Sequence, residues 1–181
     1  MSRRVAVIGA GAWGTCFAST CAHNNPTTLW VRRDEFDVAD EINAAHTNET
    51  YLPGVTLPAG LVATIDMVDA VAGVDCVVVA IPSRWIRDIV RDLRAHVEPG
   101  VPIVSLVKGL EADTRLRMTE VIAEEIPGSP VGALSGPNLA GEIASGITSA
   151  SVLAFADVDR ARDLRTLFNT PRFRVYVNHD V

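Results

Sequence analysis

The chain has 181 residues, a formal net charge of −6 and 48% hydrophobic residues, enough for one well-buried core but short for two full domains. Its acidic balance, with a pI near 5.1, argues against a nucleic-acid partner, which needs a basic face to displace counterions. Mean hydropathy is high at +0.22, yet the longest apolar runs, such as Cys76–Ile81, are strand-sized, so no membrane insertion is expected.

Met1-Ser2-Arg3-Arg4 before an apolar stretch imitates a secretory leader, but the stretch breaks at three glycines, and a strand, a turn and a helix account for all of it. Val5–Ile8 reads as a strand that empties into GAGAWG, followed by a helix from about Ala12 to His23. The three glycines then play different parts. Gly9 turns the chain off the strand, Gly11 lets a diphosphate lie against bare backbone, and Gly14 lets the helix pack closely on the sheet. The helix aims free N–H groups and the positive end of its dipole at the phosphates. A glycine string alone is weak evidence; the order strand, glycines, helix strengthens it.

Asn24, Asn25 and Pro26 form a turn into a second strand, Thr27–Val31. Asp34 or Glu35 starts a helix to about His46, and Asn48–Pro58 is loop-like. A short strand at Leu61–Thr64 and a helical turn at Asp66–Val71 precede Asp75–Ile81, a β-branched run suited to the middle of a parallel sheet. Pro82 ends it, and Ser83 is placed to cap a helix from Arg84 to about His96. That helix buries Ile86, Ile89, Val90 and Leu93, leaving a mostly solvated row of arginines. Val101–Val107 is a strand, Thr114–Glu125 a helix, Val131–Leu134 a strand and Asn138–Ala144 a short helix. Ser149–Phe155, Val158–Phe168 and Phe173–Val177 follow as strand, helix and strand. This rhythm predicts an α/β fold: a doubly wound, mostly parallel Rossmann-type sheet with extra C-terminal strands, residues 1–181 forming one dinucleotide-binding domain. Asn178 or Asp180 is placed to cap a further helix, so the sequence reads as a piece of a longer chain.

Cys16, Cys21 and Cys76 are an odd number and read as small core residues of a reducing cytosol, while the four histidines lack metal-ligand spacing, so no metal is expected. A doubly wound sheet binds ligands beyond the carboxyl ends of its strands, so the residues just after each strand carry the chemistry. Arg32 and Arg33 follow the second strand, where an acidic residue would take a ribose 2′-hydroxyl; arginines there favour NADP(H), with NAD(H) still accommodated. Pro82 and Ser83 bend across the path of the nicotinamide ribose. Lys108, the only lysine beside fifteen arginines, supplies a compact point charge that arginine cannot imitate in a tight space. Ser135-Gly136-Pro137-Asn138 offers backbone N–H groups and an amide, and would converge with Lys108 on a small anionic substrate.

VIGAGAWGT, LWVRR, EINAAHTNETYLPGVTLP, VVVAIPSRWIR, SLVKGLE, LSGPNLAGEIA and FRVYVNHDV together resemble the bacterial NAD(P)-dependent glycerol-3-phosphate dehydrogenase family. YLPG, VKGLE and the GPN loop are far more specific than the glycine string. The resemblance implies reversible hydride transfer between NAD(P)H and dihydroxyacetone phosphate, giving sn-glycerol 3-phosphate for phospholipid synthesis in the cytoplasm. It implies that Ala12 and Trp13 join Gly9, Gly11 and Gly14 at the cofactor, with Arg32, Arg33 and Tyr51 beside it. Lys108 would touch both cofactor and substrate, Gly136 and Asn138 the substrate, and Ala140 the cofactor. Ala12 and Asn138 stand where relatives often carry serine. The family continues into a helical substrate domain, absent here, that bears a second lysine as proton donor, so the 181-residue chain alone is expected to be inactive. The intact enzyme could pair as a homodimer. Two rivals share the nucleotide unit: another Rossmann dehydrogenase of the 6-phosphogluconate or ketopantoate reductase type, and a non-enzymatic dinucleotide sensor.

Overall fold

Residues 3–181 are described by the computed structural model; Met1 and Ser2, where the leader-like stretch begins, lie outside them. Strand β1 (Val5–Ile8) is buried along its whole length, and because successive side chains leave a strand on opposite sides, it feeds two cores. Val5 and Val7 join one apolar cluster with Phe17, Leu29 and Phe168, while Ala6 and Ile8 join another with Val77, Ile86 and Val90. A strand apolar on both faces is stable only where helices cover both sides of its sheet.

The other strands are β2 (Thr27–Trp30), β3 (Leu61–Thr64), β4 (Cys76–Val79), β5 (Ile103–Ser105), β6 (Val131–Ser135), β7 (Ser149–Ala154) and β8 (Phe173–Asn178). Together with β1 they form one sheet in the order β3-β2-β1-β4-β5-β6-β7-β8. From β3 to β6 all neighbours run parallel. Strand β7 then pairs antiparallel with β6 and parallel with β8. This is the expected doubly wound, mostly parallel sheet with extra C-terminal strands. Val5 pairs with Thr27 on one side and Cys76 on the other. The chain winds outward in both directions from β1, which opens a crevice at the carboxyl ends of β1 and β4.

Helices α1 (Ala12–Ala22), α2 (Phe36–Ala45) and α7 (Val158–Phe168) cover the first core. The second is covered by α3 (Met67–Val71), α4 (Ile86–Leu93) and α5 (Met118–Glu125). The short α6 (Ala140–Ala144) lies against α1. The three cysteines are buried and unpaired; burial pushes the Cys16 thiol up to about 12 and raises those of Cys21 and Cys76 as well.

Three helices begin later than the sequence suggests. Helix α6 starts at Ala140 rather than Asn138. Ser83 makes no side-chain cap; the Trp85 N–H donates to the Pro82 carbonyl at 3.0 Å, closing a short 3-10 turn over Ser83–Trp85 before α4 starts at Ile86. Helix α5 starts at Met118 rather than Thr114, because the Thr114 hydroxyl donates to Glu111 and Arg115 adopts φ +60°. The Glu120 carboxylate then reaches back to accept from the Arg117 N–H at 2.8 Å, satisfying a helix-start donor.

Candidate functional site

The glycine turn does three separate things. Gly9 has φ +114°, and a Cβ there would lie 2.6 Å from the Ala80 carbonyl oxygen at the end of β4. A Cβ on Gly14 would run into the Gly9 carbonyl, so α1 can press against the turn only without a side chain at that position. A Cβ on Gly11, by contrast, would meet nothing within 4 Å. Its side faces open space, and α1 starts there with no side-chain cap and no acidic residue in its first turn. Free N–H groups, a positive dipole end and bare backbone beside a cleft fit the diphosphate of a dinucleotide.

That cleft encloses about 480 Å³. It runs from Gly9 and Gly11 to Arg32, Glu35 and Tyr51 on one side and to Pro82 and Trp85 on the other. Five residues singled out from the sequence, Gly9, Gly11, Arg32, Tyr51 and Pro82, thus share one cleft. Arg32 donates to Glu35 from Nη2 at 2.9 Å and from Nε at 3.3 Å, and the Tyr51 hydroxyl donates to the same carboxylate. Arg32, and then Tyr51, holds the Glu35 carboxyl below the usual range. The same hydrogen bond raises the Tyr51 phenol.

Two residues of this cleft's framework were missed by sequence reasoning. Glu35 was read only as a helix start. Asn48, read as the first residue of a loop, is fully buried. Its amide donates to the Ala10 carbonyl at 3.1 Å and to the Thr15 hydroxyl at 2.8 Å, and its carbonyl accepts from the Tyr51 N–H at 3.2 Å. One side chain therefore ties the glycine turn to the loop that carries Tyr51. Its partners lie up to 38 residues away, so no local spacing announces it; the only available signal was an amide three residues before a tyrosine.

The remaining predicted residues lie elsewhere. Trp13 is half-buried and packs its ring against Phe17 and Phe173, with centroids at 5.7 Å and 6.5 Å. Ala12 is half-buried at the start of α1, and Arg33 is exposed. Ala140 opens α6 and packs against the first core. Lys108 is exposed; it follows β5, which ends at the same sheet edge as β1 and β4, but it does not line the 480 Å³ cleft. Glu111, three residues further on, accepts from Arg87 at 2.7 Å and 2.8 Å, anchoring this loop to α4. Gly136 lines a second hollow, of about 410 Å³, beside Ser149, Ser151 and Tyr176. Asn138 donates to the Ser151 hydroxyl, and its buried Oδ1 has no hydrogen-bond partner among the described residues.

A glycine turn feeding an uncapped helix at the switch point of a doubly wound sheet defines a dinucleotide-binding unit of the Rossmann type. The family model described as the NAD-dependent glycerol-3-phosphate dehydrogenase N-terminus matches residues 4–161, and the chain belongs to that family. The chain is 46% identical over its whole length to a glycerol-3-phosphate dehydrogenase [NAD(P)+] 2 of Sphingopyxis alaskensis, covering 54% of it. With a glycerol-3-phosphate dehydrogenase [NAD(P)+] of Mycobacterium avium it shares 46% identity, over 98% of this chain and 52% of the relative. The chain thus spans about half the length of the curated relatives it matches. Among solved structures, the glycerol-3-phosphate dehydrogenase of Coxiella burnetii superposes with a TM-score of 0.91 at 31% identity, over 99% of this chain and 55% of that one. A ketopantoate reductase of Ralstonia eutropha, at 18% identity and a TM-score of 0.71, shares the fold. No helix of the described residues is long and apolar enough to cross a membrane.

Proposed function

We propose that this chain is the cofactor-binding domain of an enzyme that interconverts dihydroxyacetone phosphate and sn-glycerol 3-phosphate with NAD(P)H, supplying phospholipid precursors in the cytoplasm. The observation that carries the reading is the Gly11 cradle with its uncapped α1, set within a chain of this family. Backbone N–H groups of the turn and of Ala12 and Trp13 hold the diphosphate, and Gly14 keeps α1 close enough for them to reach it. Arg32, Arg33 and Tyr51 hold the adenosine end, NADP(H) being favoured by the two arginines and NAD(H) accommodated. Pro82 borders the nicotinamide ribose, and Ala140 completes the cofactor's surroundings.

When bound, the nicotinamide supplies a hydride to the substrate's carbonyl carbon. Lys108 brings its ammonium to the carbonyl or phosphate oxygen, stabilising negative charge as it develops. Gly136 and Asn138 hold the substrate through the backbone N–H groups of their turn. The proton for the new alkoxide comes from a second lysine in a helical domain of the longer chain, which pairs as a homodimer.

Assays of the longer chain with NAD(P)H and dihydroxyacetone phosphate or ketopantoate, and with NAD(P)+ and 6-phosphogluconate, test this. Dihydroxyacetone phosphate alone is expected to drive rapid NAD(P)H oxidation, and Lys108→Met to lower kcat by roughly 10²–10³. The 181-residue chain alone is expected to show no turnover. Full activity of the Lys108→Met enzyme would contradict the assignment.

A further inference from the structure

Four successive residues at the adenosine end of the cleft, Arg32, Arg33, Asp34 and Glu35, carry charges that cancel. They are not equivalent. The Glu35 side chain is only 20% exposed, against 50% for Arg32 and 73% for Asp34. Glu35 also lines the cleft, together with Arg32 and Tyr51, whereas Asp34 does not. Both Arg32 contacts of hydrogen-bond length go to Glu35, and the nearest Asp34 oxygen stands at 3.6 Å. The guanidinium that a 2′-phosphate would seek is therefore already neutralised by a carboxylate facing the same space.

We propose that Glu35 sets the cofactor preference of the cleft, restraining the pull of Arg32 and Arg33 toward the phosphorylated dinucleotide. A 2′-phosphate must either displace Glu35 from Arg32 and Tyr51 or settle beside a like charge, and both outcomes cost binding energy. A ribose 2′-hydroxyl meets no such cost, since it can donate to the carboxylate directly. Glu35 thus lets one cleft accept both cofactors although Arg32 lines the same end of it. Tyr51 adds position rather than charge: its hydroxyl orients the carboxylate from a loop that Asn48 fixes.

The inference rests on the reading of the cleft as a dinucleotide site, and direct titrations separate the two. NADH and NADPH are titrated into the unaltered chain and into Glu35→Gln, Arg32→Met and Tyr51→Phe. Gln keeps the acceptor for Tyr51 while losing the charge, so Glu35→Gln is expected to tighten NADPH about tenfold and to change NADH less than about threefold. Arg32→Met should weaken NADPH more than NADH, and Tyr51→Phe, which releases one of the two holds on Glu35, should shift the ratio toward NADPH by less than Glu35→Gln does. An unchanged ratio in Glu35→Gln, or equal weakening of both cofactors, overturns the role given to Glu35 and leaves the cleft intact. If neither dinucleotide binds the unaltered chain, the reading of the cleft fails and this role with it.

Discussion

Gly11 and Gly14 occupy one turn and answer to different demands. Gly14 is required by the fold, because a methyl group there would overlap the Gly9 carbonyl; the fold makes no such demand at Gly11, where a methyl group would project into the open cradle and the demand proposed is the ligand's. Gly14→Ala is therefore expected to destabilise the chain by roughly 1–3 kcal/mol in urea melts, as overpacking does. Gly11→Ala should leave stability within about 0.5 kcal/mol and still weaken dinucleotide binding. The glycines were legible in the sequence because their signal is local: a strand before them and a helix after. Asn48 was not, since only the folded chain brings Ala10 and Thr15 to its amide, and Glu35 was not, since its second partner, Tyr51, lies 16 residues away. Arg32 was read for its charge alone, although Glu35 stands at the i,i+3 spacing of an ion pair.

The loop after β5 shows the same division at the level of elements. Its strand and the single lysine beyond it were legible, as was the apolar face of α4, but the arginines of α4 were read as a mostly solvated row. The Arg87 side chain is 26% exposed and engages Glu111, Glu124 and Glu125 at 2.7–2.9 Å. Amphipathic periodicity tells inside from outside and is silent about which outer charges meet a neighbouring helix. This clamp also explains the late start of α5, since Glu111 takes the Thr114 hydroxyl that would otherwise serve a helix N-terminus. Arg87, and then Thr114, lowers the Glu111 carboxyl from 4.5 to about 2. A carboxyl with a depressed value in the folded chain stabilises it fully above the unfolded value, and that contribution disappears as pH falls toward the folded one. Melting temperature should accordingly drop as pH is lowered from about 5 to about 2, and Glu111→Gln should make that drop smaller. Equal pH dependence in the two proteins would show that the clamp adds no acid-labile stability.

For the molecule as a whole, the fold class and the cleft at the strands' carboxyl ends were both legible, because hydrophobic alternation fixes a two-sided sheet and the sheet's winding fixes where a crevice opens. The antiparallel β6–β7 pairing was not, since a strand's direction depends on how the preceding connection returns. Every functional role above requires that the cleft at the β1–β4 switch point receive a dinucleotide. Trp30 and Trp85 line that cleft, so NADH bound there would quench tryptophan emission by energy transfer. Titration of the 181-residue chain with NADH is expected to give weak but saturable quenching that Gly11→Val abolishes without altering the circular dichroism spectrum. Quenching that never saturates, or that survives in Gly11→Val with unchanged affinity, would contradict it.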